Sequence, residues 1–428
     1  MLDSVAAASA VMLGALFLKV PVFAALILGS LCYFVLPPGA STQIIAQRFT
    51  SGIESIPLLA MPFYIFAGVI MNYCGITSRI MNLCGMLSGR MPGGLAQVNI
   101  LLSTLMGGLS GSNLADAAME AKMLVPEMEK NGLPKDFSTV VTAFSSIITP
   151  LIPPGIQMIL YGTLAGVSIG KLFISGLSVG MLTCVVLMIG TAFIAGKRGY
   201  RSLRTTPATR REFRSAPKGA FLPLCLPVVI IGGIRVGVFT PTEAGAVAVI
   251  YGIGLGLLYR SFGFGDFLSS LKETAVTTGI IGLIVGAASV FAWILTKERI
   301  PQALSEAMVS GIDNKYIFLI VVNLFLLAVG MFIEGTAATI ILAPLLAPVA
   351  RTFGIDDVQF AFIFIFNLSI GCITPPMGTL MFVTCGITGC RPRDFLRESV
   401  PYFLMLAVVL ILLTFVPVFS IGILDVFY

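Results

Sequence analysis

Two stretches of this chain carry glycines, hydroxyls and an amide or acid in patterns suited to holding a small ion. The first reads G-L-S-G-S-N from Gly108 to Asn113 and is followed by Pro126, Gly132 and Pro153-Pro154. The second reads G-M-F-I-E-G-T from Gly330 to Thr336 and is followed by Pro348, Gly354 and Pro375-Pro376. One constant offset carries each landmark of the first set onto the second: 108 to 330, 126 to 348, 132 to 354 and 153 to 375. We read this as an internal duplication. Glycine and proline breaks release backbone carbonyls from helical pairing, and hydroxyl or amide side chains add neutral oxygens. Hard cations such as sodium take such donors, whereas the N-termini of half-helices favour anions. In the first half the candidates are Gly108, Ser110, Gly111, Ser112 and Asn113, facing Thr149, Ile152, Pro153 and Gly155. In the second they are Gly330, Glu334, Gly335 and Thr336, facing Asn367, Gly371, Thr374, Pro375, Met377 and Gly378. The competing explanation is that the glycines only permit close helix packing and the prolines only kink.

Acids near these breaks need separate weighing, because an ionisable group at membrane depth is a functional candidate by default. Asp116 and Glu120 follow the first tip, either as functional acids or as hairpin-end carboxylates in contact with water. Glu334 sits in the second tip, either near a cation or holding the tip together. Glu243, beside Thr240 and Thr242, reads as a helix cap. The chain contains no histidine, which excludes a histidine proton relay, a histidine-based triad and histidine-ligated metal. Eight cysteines stand singly, mostly in apolar runs, as small buried hydrophobes with no zinc or disulfide spacing.

The elements that position these residues are membrane helices. Of the 428 residues 57% are hydrophobic and only 11% charged, and apolar runs repeatedly pass the roughly 18 residues that mark a bilayer span. The net charge of +6 gathers between Lys197 and Lys218, which reads as a cytoplasmic loop, so nucleic-acid binding gains no support. Asp3 stands where a signal peptide would be basic, so the N-terminal apolar stretch is expected to be retained membrane structure.

The predicted class is an all-α polytopic membrane protein with residues 1–196 as a first repeat, 197–219 as the basic loop and 220–428 as a second repeat. Paired short spans open each half, Ser4 to Phe17 with Val20 to Leu36 and Phe221 to Val236 with Thr242 to Tyr259. Third spans follow at Ile56 to Cys74 and Thr274 to Leu295, the latter carrying Ser289 and the only tryptophan, Trp293. Thr77 to Arg90 and Lys297 to Ser310 are more polar, and the second has an amphipathic pattern suited to the interface.

Ala96 to Gly108 and Tyr316 to Gly330 are too short to cross a core of about 30 Å comfortably. With the apolar stretches after each glycine break they predict re-entrant hairpins over about 96–130 and 316–351. The double prolines split 137–166 and 358–387 into half-helices with unwound centres. Last spans run from Leu172 to Ala195 and from Phe395 to Ile423. Five crossings per half is an odd number, so the second half enters from the opposite side and the repeat is inverted. Placing the basic loop inside puts both termini outside.

With these residues in view the chain resembles the large membrane subunit of a tripartite ATP-independent periplasmic (TRAP) transporter, of the DctM type. The resemblance spans essentially the whole chain. It is carried by G-G-L-S-G-S at Gly107 to Ser112, P-P-G at Pro153 to Gly155 and G-V-F-T-P-T-E-A at Gly237 to Ala244. G-x-x-x-E-G-T-A at Gly330 to Ala337 and I-T-P-P-M-G at Ile373 to Gly378 complete it. It implies a sodium-driven importer of the bacterial inner membrane, with an elevator-like moving domain built from the hairpins and unwound helices. It further implies a small four-helix membrane subunit and a soluble periplasmic binding protein as partners. Carried over by motif, one sodium lies near Gly108, Thr149, Ile152 and Gly155, with Ser110, Ser112 and Asn113 at the tip; another lies near Gly330, Gly371, Thr374 and Met377. The substrate-site candidates are Ser112, Pro153, Pro154, Ser289, Glu334, Gly335, Thr336, Pro375 and Pro376. At the second tip Glu334 stands where aspartate is the more usual residue. A separate small subunit is expected, since the repeats account for both ends of this chain.

The expected substrate is a small organic anion, a carboxylate or sulfonate such as a C4-dicarboxylate or a sialic acid. The alternative is a self-sufficient ion antiporter or anion exporter of the same broad architecture. An intramembrane enzyme is disfavoured, because Ser110 and Ser112 have neither a histidine nor a lysine or aspartate pair to activate them.

Overall fold

The computed structural model describes residues 2–18, 20–35, 42–54, 56–200, 202–203, 210–311, 314–376 and 378–427, and among them every regular element is helical. In the first half these are α1 (Leu2–Phe17), α2 (Val22–Val35), α3 (Gln43–Ile53), α4 (Ala60–Tyr73), α5 (Ile76–Ser88), α6 (Gly94–Ser110), α7 (Asn113–Met123), α8 (Val125–Lys130), α9 (Lys135–Ser145), α10 (Ile156–Ala165) and α11 (Ile169–Lys197). In the second they are α12 (Arg210–Arg235), α13 (Pro241–Leu258), α14 (Phe264–Lys297), α15 (Ile300–Gly311), α16 (Lys315–Gly330), α17 (Gly335–Thr352), α18 (Asp357–Gly371), α19 (Thr379–Thr388) and α20 (Pro392–Phe415).

Helix starts recur at the spacing of the sequence landmarks to within one residue: 94 and 315, 156 and 379, 169 and 392. One pair departs from it. The first half breaks between α3 and α4, where the sequence has Pro57, while the equivalent position of the second half is Gly279 in the uninterrupted 34-residue α14. Proline removes a backbone donor and clashes with the preceding turn; glycine only weakens a helix.

By length and composition α11, α13, α14, α17 and α20 can each cross a membrane. α4 with α5, bent by 74°, and α9 with α10, bent by 43°, add up to two broken spans, and α1, α2, α16, α18 and α19 are shorter apolar helices. The hairpin arms are longer than the sequence suggested. α6 has 17 residues, α16 has 16, and α17 runs 18 residues straight through Pro344 and Pro348.

The core sits on the broken helices. Phe360, Phe362, Phe364 and Phe366 are fully buried, and every residue of α18 from Val358 to Gly371 is inside, so this helix carries apolar side chains on every face because it is surrounded all round. Within each half the first hairpin arm packs on the broken helix, α6 on the 3₁₀ turn Ser146–Leu151 and α16 on α18. Across the halves α7 packs on α19 and α10 on α17. α1 to α4 pack instead among themselves and with α13 and α14.

Candidate ion and substrate sites

At the first tip Gly111 ends α6 in the left-handed region (φ 62°), its N–H donating to the Gly107 carbonyl at 3.1 Å. Ser112 is extended and caps α7, its Oγ accepting from the Ala115 N–H at 3.4 Å. Opposite, Ile152 is extended ahead of Pro153, as a residue before proline must be, and α10 restarts after Gly155. A Cβ on Gly108 would stand 2.6 Å from the Pro153 carbonyl oxygen, and one on Gly111 would stand 3.2 Å from that of Pro154. Gly107 approaches the Thr149 Cα as closely. The structure therefore brings Gly108 and the tip onto Thr149, Ile152, Pro153 and Pro154. Gly155 packs on the Pro150 carbonyl and Asn113 is buried. The Ser110 side chain lies outside the described residues.

At the second tip Gly330 and Gly371 are in backbone contact: a Cβ on Gly371 would stand 2.5 Å from the Gly330 Cα. Thr374 is half-buried, and its Oγ1 donates to the Ile370 carbonyl at 2.8 Å. Gly378 abuts the carbonyls of Ile373 and Thr374. Met377 lies outside the described residues. Of the two roles open to Glu334, its hydrogen bonds match holding the tip. Its carboxylate accepts from the Thr336 hydroxyl at 2.8 Å and from the Ala337 N–H at 3.1 Å, capping α17. Gly335 rests against the Gln157 amide from the other half. Asn367 is buried on α18, next to Leu368, whose backbone touches Gly330. It belongs to a side-chain chain with Asn323 and Thr414.

The reading of Asp116 and Glu120 as water-facing carboxylates is overturned. Both are 0% exposed, because α7 is enclosed by α6, the 3₁₀ turn, α9 and α19. Asp116 Oδ2 accepts from Thr149 Oγ1 at 2.8 Å, and Glu120 Oε2 accepts from Ser103 Oγ at 2.7 Å. Ser145 bridges Glu120 to Asn99, which reaches Thr142. Asp116 Oδ1 and Glu120 Oε1 have no protein partner. The sequence carries a signal for this that only the duplication makes legible: the equivalent positions of the second half are Ala338 and Leu342. The acidic pair is confined to the first hairpin. A buried carboxylate oxygen without a donor, beside Thr149 of the first candidate set, fits a bound cation.

Ser289 and Glu334 line different cavities. Ser289 lines a cleft of about 630 Å³ between α3 and α14 on one side and α10 and α17 on the other, together with Arg48, Ser51, Thr163, Trp293 and Lys297. Glu334 borders a separate apolar crevice of about 430 Å³ formed by α1, Val20, α2, α16 and the tip. The sequence reading missed Arg48 and Lys297: Arg48 lies in the middle of the short, partly polar α3, and only Lys297 stands out as a cation at the end of an apolar helix.

Comparison with known proteins places these features. The family model described as "Tripartite ATP-independent periplasmic transporter, DctM component" matches residues 9–419. The chain is 40% identical to the sialic acid TRAP transporter large permease protein SiaM of Vibrio cholerae over 409 residues, 95% of each chain. It is 37% identical to the 2,3-diketo-L-gulonate TRAP transporter large permease protein YiaN of Escherichia coli, again over 95% of each. The isethionate TRAP transporter permease protein DctMQ of Oleidesulfovibrio alaskensis is 34% identical over 94% of this chain and 64% of its own length. Among solved structures, the YdaH transporter of Alcanivorax borkumensis shares the fold at a TM-score of 0.60 and 14% identity, over 95% of this chain and 98% of that one. These relatives are transporter permeases and not enzymes. The chain is thus a membrane protein that belongs to the DctM family of TRAP transporter large permeases.

Proposed function

We propose that this chain is the large membrane subunit of a sodium-driven, binding-protein-dependent importer of a small organic anion in the bacterial inner membrane. One observation carries the reading. Two glycine tips, one in each repeat, press onto the broken helix of their own half, and the first does so beside Asp116, one of whose carboxylate oxygens has no hydrogen-bond partner. Bare backbone in a membrane persists only where it lines a cavity or binds something. Sodium is the coupling ion, a co-substrate. Gly108, Thr149, Ile152 and Gly155 would hold one near Asp116, and Gly330, Gly371, Thr374 and Met377 another. Each ion would bridge a tip to its broken helix, so loading both would lock the hairpins onto the body that carries the substrate.

The packing suits an elevator in an inverted repeat. α6 to α10 and α16 to α19 interlock across the halves as one body, while α1 to α4 with α12 to α14 form the scaffold it slides against. Both termini are periplasmic in this topology. Substrates named for relatives are sialic acid, 2,3-diketo-L-gulonate and isethionate, all anionic and hydroxylated, and the substrate here is of that kind. A small four-helix membrane subunit and a soluble periplasmic binding protein complete the system. The test is uptake of labelled anion into proteoliposomes holding this chain and its small subunit. Uptake is expected only with an inward sodium gradient and loaded binding protein. Uptake that persists in sodium-free buffer, or without the binding protein, would overturn the proposal in favour of a self-sufficient exchanger.

A further inference from the structure

We infer that Arg48, Lys297 and Trp293 form an anion subsite on the α3–α14 wall of the cleft that Ser289 lines, selective for organic acids that carry hydroxyl groups. The transport role of such a site rests on the proposed function; its existence as a binding site does not.

Arg48 on α3 and Lys297 on α14 line the same cleft and flank the same indole, the guanidinium 5.9 Å and the ammonium 5.2 Å from the Trp293 ring centroid. Among the described residues neither is ion-paired. The nearest carboxylate along the chain, Glu298, is engaged by the Tyr33 hydroxyl, and Lys297 lies 5.6 Å from the Tyr33 ring. Two cations gathered at a cleft with low-dielectric walls focus the field there and draw an anion in. A carboxylate suits this pair, since guanidinium takes both its oxygens in a planar fork and ammonium adds a point charge.

The hydroxyls say what else the anion carries. Ser51 donates to the Arg48 carbonyl at 3.3 Å, Thr163 to that of Ile159 at 2.8 Å and Ser289 to that of Val285 at 2.9 Å. Each proton is spent on its own helix, which leaves these oxygens with acceptor capacity only; that of Ser289 packs against Gly52, and those of Ser51 and Thr163 belong to the cleft lining. Two cations beside acceptor oxygens in one cleft describe a carboxylate that also has hydroxyl protons to donate. They disfavour a fatty acid or a bare inorganic anion. The cleft's volume is ordinary for a small-ligand site. Its two walls come from different bodies, α3 and α14 against Thr163 of α10 and Pro344 of α17. In the transporter reading an anion here would be held at the seam between scaffold and moving body.

Trp293 is the only tryptophan, so the purified chain reports on its own site. N-acetylneuraminate, gluconate, sulfate and neutral sorbitol are titrated against its intrinsic fluorescence in detergent. A saturable change is expected with at least one of the two sugar acids and none with sorbitol. In Arg48→Gln and Lys297→Gln the midpoint should rise about tenfold or more, the scale of losing a charge-assisted contact, with Lys297→Arg largely restoring it. Emission silent to both sugar acids, an equal response to sulfate, or variants titrating like the parent would each overturn the subsite. So would variants that keep the titration but lose affinity for the soluble binding protein, since the cluster would then be a docking surface. Proteoliposome uptake separates the two proposals. A parent chain that shows the titration but no sodium-dependent uptake sinks the transport role and leaves the subsite standing. Sodium-driven uptake whose KM ignores both variants sinks the subsite alone.

Discussion

Asp116 is the residue on which the proposed sodium coupling is most directly tested. It is fully buried, one oxygen takes the Thr149 hydroxyl, and the other has no protein donor. Asp116→Asn preserves shape and the Thr149 contact but removes the charge. The sodium concentration for half-maximal uptake should then rise about tenfold or more, the scale of a lost charge-assisted contact. Sodium-dependent thermal protection of the purified chain should shrink with it; an unchanged sodium dependence would remove Asp116 from the ion site. Glu334 gives the contrasting case. Because its carboxylate caps α17, Glu334→Ala should cost about 1 kcal/mol of stability, and Glu334→Gln less, since its amide oxygen can still accept. Midpoints of thermal unfolding in detergent decide this, and a loss of sodium affinity without a loss of stability would place Glu334 at an ion instead.

Among the elements, the unequal third spans make a controlled pair. Pro57 interrupts the α3–α4 stretch and Gly279 leaves α14 whole, with nothing within 4 Å of a Cβ placed there. Gly279→Pro should cost about 3 kcal/mol or more by breaking α14, whereas Gly279→Ala should be neutral or stabilise by about 0.5–1 kcal/mol. Equal unfolding midpoints for the two variants would mean that α14 is already bent in the membrane. The hairpins behave differently. Gly371→Ala would push its methyl into the Gly330 backbone, which can yield only if α16 leaves α18. A cost of roughly 1–3 kcal/mol is expected, with sodium protection lost in parallel.

For the whole molecule the question is what moves. Thr139 on α9 and Thr388 on α19 come from different halves, yet their hydroxyls are 3.0 Å apart inside the interlocked body. Ser51 of α3 and Thr163 of α10 line the same cleft, on what the proposed mechanism makes its scaffold wall and its moving wall. In a cysteine-depleted background, cross-linking Thr139→Cys to Thr388→Cys should leave sodium-driven uptake intact. Bridging Ser51→Cys to Thr163→Cys with a short bifunctional reagent should arrest it. Uptake that survives the second bridge would exclude sliding along this cleft.

Much of this was written in the sequence in a form that one dimension can carry. Apolar runs announce membrane helices because each must be long enough to satisfy its own backbone in lipid. The glycine and proline breaks are equally local, since a residue before proline or at a left-handed turn has few conformations open to it. These marked the Pro153-Pro154 break as it stands and the first glycine break to within a few residues, at Gly108 where the helix runs on to Ser110 and turns at Gly111; Glu243 read as a helix cap, and the structure contains its capping box with Thr240. Three things were decided only by tertiary packing. Asp116 and Glu120 are spaced like the acids of any amphipathic helix, and nothing local says that four elements close over α7. Ser289 and Glu334 are both polar residues in apolar helices, and only the separation of two clefts assigns them different surroundings. Arg48 and Lys297 belong to different halves of the chain, a separation over which no helical or strand period has meaning, and they meet because α3 packs on α14 around one tryptophan.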